Sequence, residues 1–257
     1  MAGDVPAGPG DCRPSGQQWP ALADWWVAEV SSDPAYREEV VPLVVDLLDP
    51  RPGAWYLDLG CGEGQVMAAV AERGGRVVGC DLSAALLGRA RQYGSVVLGR
   101  LPELGWARAG AFDGACLSLV LEHLVDPAAL FVEAARVVRE GGALVAVVNH
   151  PYFTAPGASP VVDPTDGELF WRWGAYLEPG HTDEPTGPGV VRFHHRPLGE
   201  LLTSAAGVGW SLEVMIERGA GPQQADRDPL LKAQVGIPRL LGARWLRAPE
   251  VVPRPSR

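Results

Sequence analysis

The stretch Leu57-Asp58-Leu59-Gly60-Cys61-Gly62-Glu63-Gly64 decides how the rest of the chain is read. Three glycines, each separated by one residue, follow an apolar run and precede a helical pattern. Glycines there let the backbone turn sharply and approach a ligand without Cβ clashes. The first turn of the following helix offers N–H groups to an anionic part of that ligand. Downstream, Val77-Val78-Gly79-Cys80-Asp81 ends a second apolar strand on a carboxylate, twenty-one positions after Gly60. A carboxylate at that place can accept both hydroxyls of a ribose.

Working outward, strands and helices alternate. Strands are expected at 54–59, 76–80, 96–99, 112–119 and 143–148, and helices at 63–73, 83–92 and 127–139. Val66, Ala69 and Val70 share one helical face, as do Leu130, Ala134, Val137 and Val138. Nearly all-apolar strands separated by helices indicate a parallel sheet covered on both faces. Upstream, a helix over 20–30 carries Trp25 and Trp26. A second helix starts near Asp33-Pro34, a cap followed by proline, and repeats Val41, Val44, Val45 and Leu48 at helical spacing. Downstream, periodicity is lost over 151–190. It returns as a helix at 196–206, a strand at 212–217, a loop at 219–236 and a last strand at 238–246.

The chain has 257 residues, 31 acids and 22 bases, for a net charge of −9. Its length suits one large domain, or one domain with appendages, and a sizeable core. Lys232 is the one lysine. This acidic balance argues against wrapping nucleic acid or adhering to anionic lipid, both of which need clustered bases. Cys12, Cys61, Cys80 and Cys116 form no C-x-x-C pair, so no metal site is expected. No apolar run reaches the roughly 20 residues that span a bilayer. Residues 1–18, rich in Gly and Pro, carry no leader pattern and are expected to be a disordered tail. A cytoplasmic location follows from this reading.

The segment Asp58-Leu59-Gly60-Cys61-Gly62-Glu63-Gly64 resembles motif I of the class I S-adenosylmethionine-dependent methyltransferases, of the small-molecule type. Other pieces resemble that family in the right order. They are Asp81, Ala111-Phe112-Asp113-Gly114-Ala115, Leu121-Glu122-His123-Leu124 and Arg139-Glu140-Gly141-Gly142. The resemblance covers 54–150 and, more loosely, the chain from His195 onward. It implies a Rossmann-like, doubly wound α/β fold with a seven-stranded, mostly parallel sheet whose last strand is antiparallel. It implies S-adenosylmethionine as cofactor. Gly60, Cys61 and Gly62 would contact its methionine part, with Gly64 completing the loop and Asp58 fixing it. Asp81 would bind ribose, and Leu82 and the Leu101 backbone would flank adenine. One departure stands out: the family often carries an acid after the third strand, where this chain has Gly99-Arg100-Leu101-Pro102.

Methyl transfer from a sulfonium is an in-line displacement, so the protein mainly supplies orientation and a dry pocket. A base is needed only for a protonated acceptor. His123, after the fourth strand, and His195, in Arg192-Phe193-His194-His195-Arg196, are the candidate catalytic residues. Asn149-His150-Pro151-Tyr152 follows the fifth strand and makes His150 a pocket wall. With Tyr152, Phe153, Trp171 and Tyr176, it forms the expected acceptor pocket. The expected organisation is a tail at 1–18, a helical cap at 19–50 and a methyltransferase domain at 51–257, within which 151–195 is a lid. Residues 151–185 hold six acids and one base among aromatics, which favours a neutral or cationic acceptor. A homodimer is the expected protein partner. Competing readings are an NAD(P)-dependent oxidoreductase and a non-catalytic cofactor-binding module.

Overall fold

A computed structural model describes residues 19–32, 34–186, 189–227, 231 and 234–249. The expected tail, Cys12, the Asp33 cap and Lys232 lie outside these residues. Trp19–Leu22 forms a single 3-10 turn that leads into α1 (Ala23–Ser32). The second helical segment widens into a π-helical turn over Tyr36–Val40 before α2 (Val41–Leu48). Val41, Val44, Val45 and Leu48 are all buried, as their spacing predicts. Asp49 adopts a left-handed conformation and ends the helix.

The central elements follow as β1 (Trp55–Leu59), α3 (Gln65–Glu72), β2 (Arg76–Asp81), α4 (Ala84–Ala90) and β3 (Ser95–Leu98). Next come β4 (Phe112–Ser118), α5 (Pro127–Val137) and β5 (Val138–Asn149). Ser83 caps α4 and Asp126 caps α5 through their side-chain oxygens. The glycines of Arg139-Glu140-Gly141-Gly142 do not end α5 and start a fresh strand, as the spacing suggested. They form a bulge early in β5: Phe112 pairs with Val138, and Gly114 with Ala143. Gly141 supplies the positive φ this requires.

The segment 151–190 is more ordered than its composition predicts. It folds as α6 (Pro151–Thr154), a hairpin of β6 (Ser159–Val162) and β7 (Leu169–Arg172), and a hairpin of β8 (Gly180–Thr186) and β9 (Gly189–His195). Its strands are short, and Pro160 and Pro185 interrupt their pattern, which two-stranded ribbons tolerate because both strands are edges. The turn between β6 and β7 is built by local chemistry: Asp163 accepts from the Thr165 N–H, Asp166 from the Glu168 N–H, and Gly167 takes a positive φ. The chain closes with α7 (Leu198–Ala206), β10 (Trp210–Arg218), α8 (Pro222–Arg227) and β11 (Leu240–Arg247). The helix α8 lies within the expected 219–236 loop.

The seven-stranded sheet has the order β10-β11-β5-β4-β1-β2-β3. Strands β1 to β5 run parallel, and β11 is antiparallel to both β5 and β10. Helices α2, α3 and α4 cover one face around Leu43, Met67 and Val70, and α5 and α7 cover the other around Phe131, Leu144 and Trp245. Alternation along β1 sends Tyr56 to the first cluster and Leu57 and Leu59 to the second. From β1 the chain winds outward to β2 and β3, then crosses back to β4. The gap between the carboxyl ends of β1 and β4 is therefore the switch point where open α/β sheets bind ligands. Among the described residues no helix is long and apolar enough to cross a membrane.

Candidate active site

The glycine loop leaves β1 at that switch point. Gly60 and Cys61 both donate their N–H groups to the Cys80 carbonyl, at 2.7 and 3.1 Å, which ties the loop to the end of β2. Gly60 has φ +76°, and a Cβ there would stand 2.5 Å from Val120 Cγ2. Asp81 closes the turn from below: its Oδ2 accepts from the Gly62 N–H at 2.9 Å and its Oδ1 from the Ser83 N–H at 2.8 Å. Burial nevertheless raises the Asp81 pKa, against the backbone N–H bonds that lower it. A further pair of hydroxyl donors would therefore be favourable there. Gly64 serves packing, since a Cβ there would stand 3.0 Å from Ala90.

Two carboxyls are buried beneath the loop. Asp58 Oδ1 lies 3.7 Å from Cys116 Sγ, and Oδ2 has no hydrogen-bond partner among the described residues. Desolvation lifts its pKa to about 7. Its expected part in fixing the loop is not a hydrogen bond to it. Glu122 Oε1 accepts from the backbone and side-chain N–H groups of Asn149, joining the turn after β4 to the end of β5. Burial raises the Glu122 pKa from 4.5 to about 7. Stability from the neutral carboxyl is thus full below pH 4.5 and is lost as pH rises through 7. Glu122→Gln, uncharged throughout, is expected to shrink the loss of stability between pH 5 and pH 8 by on the order of 1–3 kcal/mol. Urea unfolding at both pH values reads this; parallel losses in wild type and variant would contradict it.

A cavity of about 320 Å³ opens above the loop. On the β2–β3 side its wall is Asp81, Leu82, Leu86 and the run from Gly99 to Pro102. The missing acid is not replaced by another carboxylate in that run. The Gly99 N–H is used on the Asp81 carbonyl, and the Arg100 side chain is the charged group there. On the β4 side the wall is Trp19, Trp26, Tyr36, Ser118 and His123. These rings form a row: Trp26 stands edge-on to Tyr36 at 6.0 Å and to Trp19 at 5.7 Å, and Trp19 stands edge-on to His123 at 5.0 Å. The Tyr36 hydroxyl is 3.0 Å from Ser118 Oγ. Of the two adjacent tryptophans of α1, Trp26 lines this wall and Trp25 does not.

His123 sits between Trp19 and Phe193, whose ring is 4.7 Å away. Its Nδ1 donates to the Arg192 carbonyl at 3.0 Å, which sets the tautomer and puts the basic lone pair on Nε2. Burial lowers its pKa to about 4, so the ring is uncharged at neutral pH. Arg196 fastens the same corner by donating to the Leu124 and Val125 carbonyls.

The remaining expected site residues lie off this wall. His195 is buried and its Nε2 is 2.8 Å from the Tyr176 carbonyl. His150 caps α6 by accepting from the Tyr152 N–H at Nδ1, while Nε2 donates to Glu217 at 2.8 Å. Phe153 stacks on Trp171 at 4.2 Å, Tyr152 meets Trp173 edge-on at 4.5 Å, and Tyr176 packs against His195. These rings pack in pairs on a half-buried surface, with Trp173 largely exposed. Of the acids in 151–185, Asp163 and Asp166 are engaged in the turn between β6 and β7 and Asp183 in a two-pronged pair with Arg192. Sequence reading missed Trp19, Tyr36 and Ser118, which only the fold brings beside His123.

A glycine cradle, an under-solvated carboxylate and an apolar wall are chemically compatible with the two halves of S-adenosylmethionine. With β11 inserted antiparallel between β5 and β10, the sheet has the fold of the class I S-adenosylmethionine-dependent methyltransferases. Residues 57–146 match the family described as "Methyltransferase domain". A ubiquinone biosynthesis O-methyltransferase of Hahella chejuensis is 39% identical over 130 residues, covering 47% of this chain and 54% of the relative. The chain thus spans about half the length of the curated relatives it matches. An S-adenosylmethionine-dependent methyltransferase structure from Mesorhizobium loti aligns with TM-score 0.70 and 29% identity over 80% of this chain and 96% of that one. The Burkholderia thailandensis 1,6-didemethyltoxoflavin-N1-methyltransferase, solved with S-adenosylhomocysteine, shares the fold with TM-score 0.58 and 18% identity over 95% of each chain.

Proposed function

We propose that the chain transfers a methyl group from S-adenosylmethionine to a hydroxyl of a small-molecule acceptor. The carrying observation is that His123, locked by the Arg192 carbonyl, lines the same cavity as Gly60–Gly62 and Asp81. When bound, the cofactor supplies a methyl group on a positively charged sulfur. Gly60, Cys61 and Gly62 cradle its methionine half, Asp81 takes its ribose hydroxyls, and Leu82 and Leu101 flank its adenine. His123 Nε2 accepts the proton that the acceptor loses. Being neutral, the ring is ready to do so. The naming of relatives as O-methyltransferases supports an oxygen acceptor.

In this reading residues 19–50 form a cap that contributes Trp19, Trp26 and Tyr36, and 51–257 form the methyltransferase domain. The insertion 151–195 acts as a lid through Phe193 and the Arg192 carbonyl. His195 is a positioning residue, holding the end of β9 to Tyr176. His150 ties the start of the lid to Glu217, and Tyr152, Phe153 and Trp171 pack within it. Radiolabelled methyl transfer to a panel of phenols and catechols tests this. Turnover of at least one, inhibited by S-adenosylhomocysteine, is expected. Transfer confined to amines or to proteins would contradict the oxygen-acceptor reading.

A further inference from the structure

We propose that the open edge of the sheet at β3 docks onto the β6–β7 hairpin of a second copy of this chain. Among the described residues β3 pairs with β2 alone, so its other side is an unpaired edge. Its sequence, Ser95-Val96-Val97-Leu98, carries no charge or proline to blunt that edge. Leu98 is 62% exposed, and Tyr93, just before the strand, is exposed as well. Trp106, also exposed, stands beside the end of the strand: its Nε1 is 3.7 Å from where a Gly99 Cβ would be. Arginines accompany these apolar groups. Residues 82–110 hold Arg89, Arg91, Arg100 and Arg108 against one acid, Glu103, in a chain of net charge −9. All four arginines are exposed, and none is in an ion pair among the described residues. Unpaired guanidinium groups beside an exposed apolar strand suit an interface with an acidic partner.

The complement is on the chain itself. The β6–β7 hairpin turns Trp171 inward to stack on Phe153. Phe170 therefore faces outward with Val161, its partner across the strands, and is 49% exposed. Trp173 and Leu177, which follow β7, are exposed too. Residues 159–178 hold Asp163, Asp166, Glu168 and Glu178 against one base, Arg172, the reverse of the balance at β3. None of these acids is in an ion pair among the described residues. A second copy thus sets apolar surface on apolar surface and arginine on carboxylate in one contact. Pairing β3 with β3 would set arginine against arginine. Nucleic acid and anionic lipid are disfavoured by the net charge of the chain. The two surfaces differ, so the contact is heterologous, and each copy offers one of each.

Sedimentation of the full chain at rising concentration tests this. Wild type is expected to associate, and less so as salt rises. Arg89→Glu with Arg91→Glu, and separately Asp166→Arg with Glu168→Arg, should each weaken association about 10-fold or more. All four positions are exposed, so both variants should melt close to wild type. Phe170→Ser should weaken association with no change of charge. An equimolar mixture of the two charge-reversed chains should associate again, because the unaltered arginines of one meet the unaltered acids of the other. A wild type that stays monomeric at every concentration overturns the proposal, as does association that neither reversal weakens. A mixture that associates no better than its components also overturns it, because the two surfaces then do not face each other.

Discussion

Gly60→Ala is expected to weaken S-adenosylhomocysteine binding about 100-fold or more. Two effects combine. A left-handed backbone costs an L side chain roughly 1–2 kcal/mol, and Gly60 has φ +76°. Its new Cβ would also stand 2.5 Å from Val120 Cγ2, a branched side chain with little freedom to retreat. Relief would move the two N–H groups held by the Cys80 carbonyl, and with them the cradle. Gly62→Ala is the control, because its Cβ meets only Trp26 Nε1 at 3.5 Å and carries the backbone cost alone. Adding Val120→Ala to Gly60→Ala should recover part of the loss, that due to the clash. Titration calorimetry on the three variants reads this order. Equal affinity of Gly60→Ala and wild type would remove the loop from the binding site.

His123→Ala is expected to lower kcat on a hydroxylated acceptor by about 10²- to 10⁴-fold, the usual worth of a general base. Binding of S-adenosylhomocysteine should change little, because the ring lies on the β4 side of the cavity, away from Asp81. The ring also packs between Trp19 and Phe193, so alanine alone does not separate proton transfer from packing. His123→Phe keeps a ring there and removes the lone pair. Similar losses for both variants identify proton transfer. Full activity of the phenylalanine variant would reduce His123 to a packing residue. In wild type the pKa of about 4 fixes the sign of the pH profile. The neutral base is lost, and kcat/KM with it, only as the pH falls through about 4.

The parts of the site built from contiguous sequence were legible before the fold. The loop from Gly60 to Gly64, Asp81 and the strand pattern depend on local geometry, and a one-residue glycine alternation after an apolar run has few other uses. His123 was legible by its place after a strand, although its tautomer was not. That depends on the carbonyl of Arg192, 69 residues away. Trp19, Tyr36 and Ser118 gave no signal because they meet only through packing of the N-terminal helices on the switch point. The insertion is a different case. Its aromatics and acids read as a pocket lining, yet Tyr152, Phe153, Trp171 and Trp173 pair with one another and Asp163 and Asp166 close a turn. Composition shows what a segment can bind and says nothing of which groups it has already satisfied internally.

One cavity is expected to hold the cofactor between the glycine loop and Asp81, with the reacting end toward His123. A crystal structure with S-adenosylhomocysteine tests it most directly. Both ribose hydroxyls are expected on the Asp81 carboxylate, the adenine between Leu82 and Leu101, and the sulfur turned toward the wall of Trp19, Trp26, Tyr36 and His123. Density for the product elsewhere, or with its ribose away from Asp81, would contradict it.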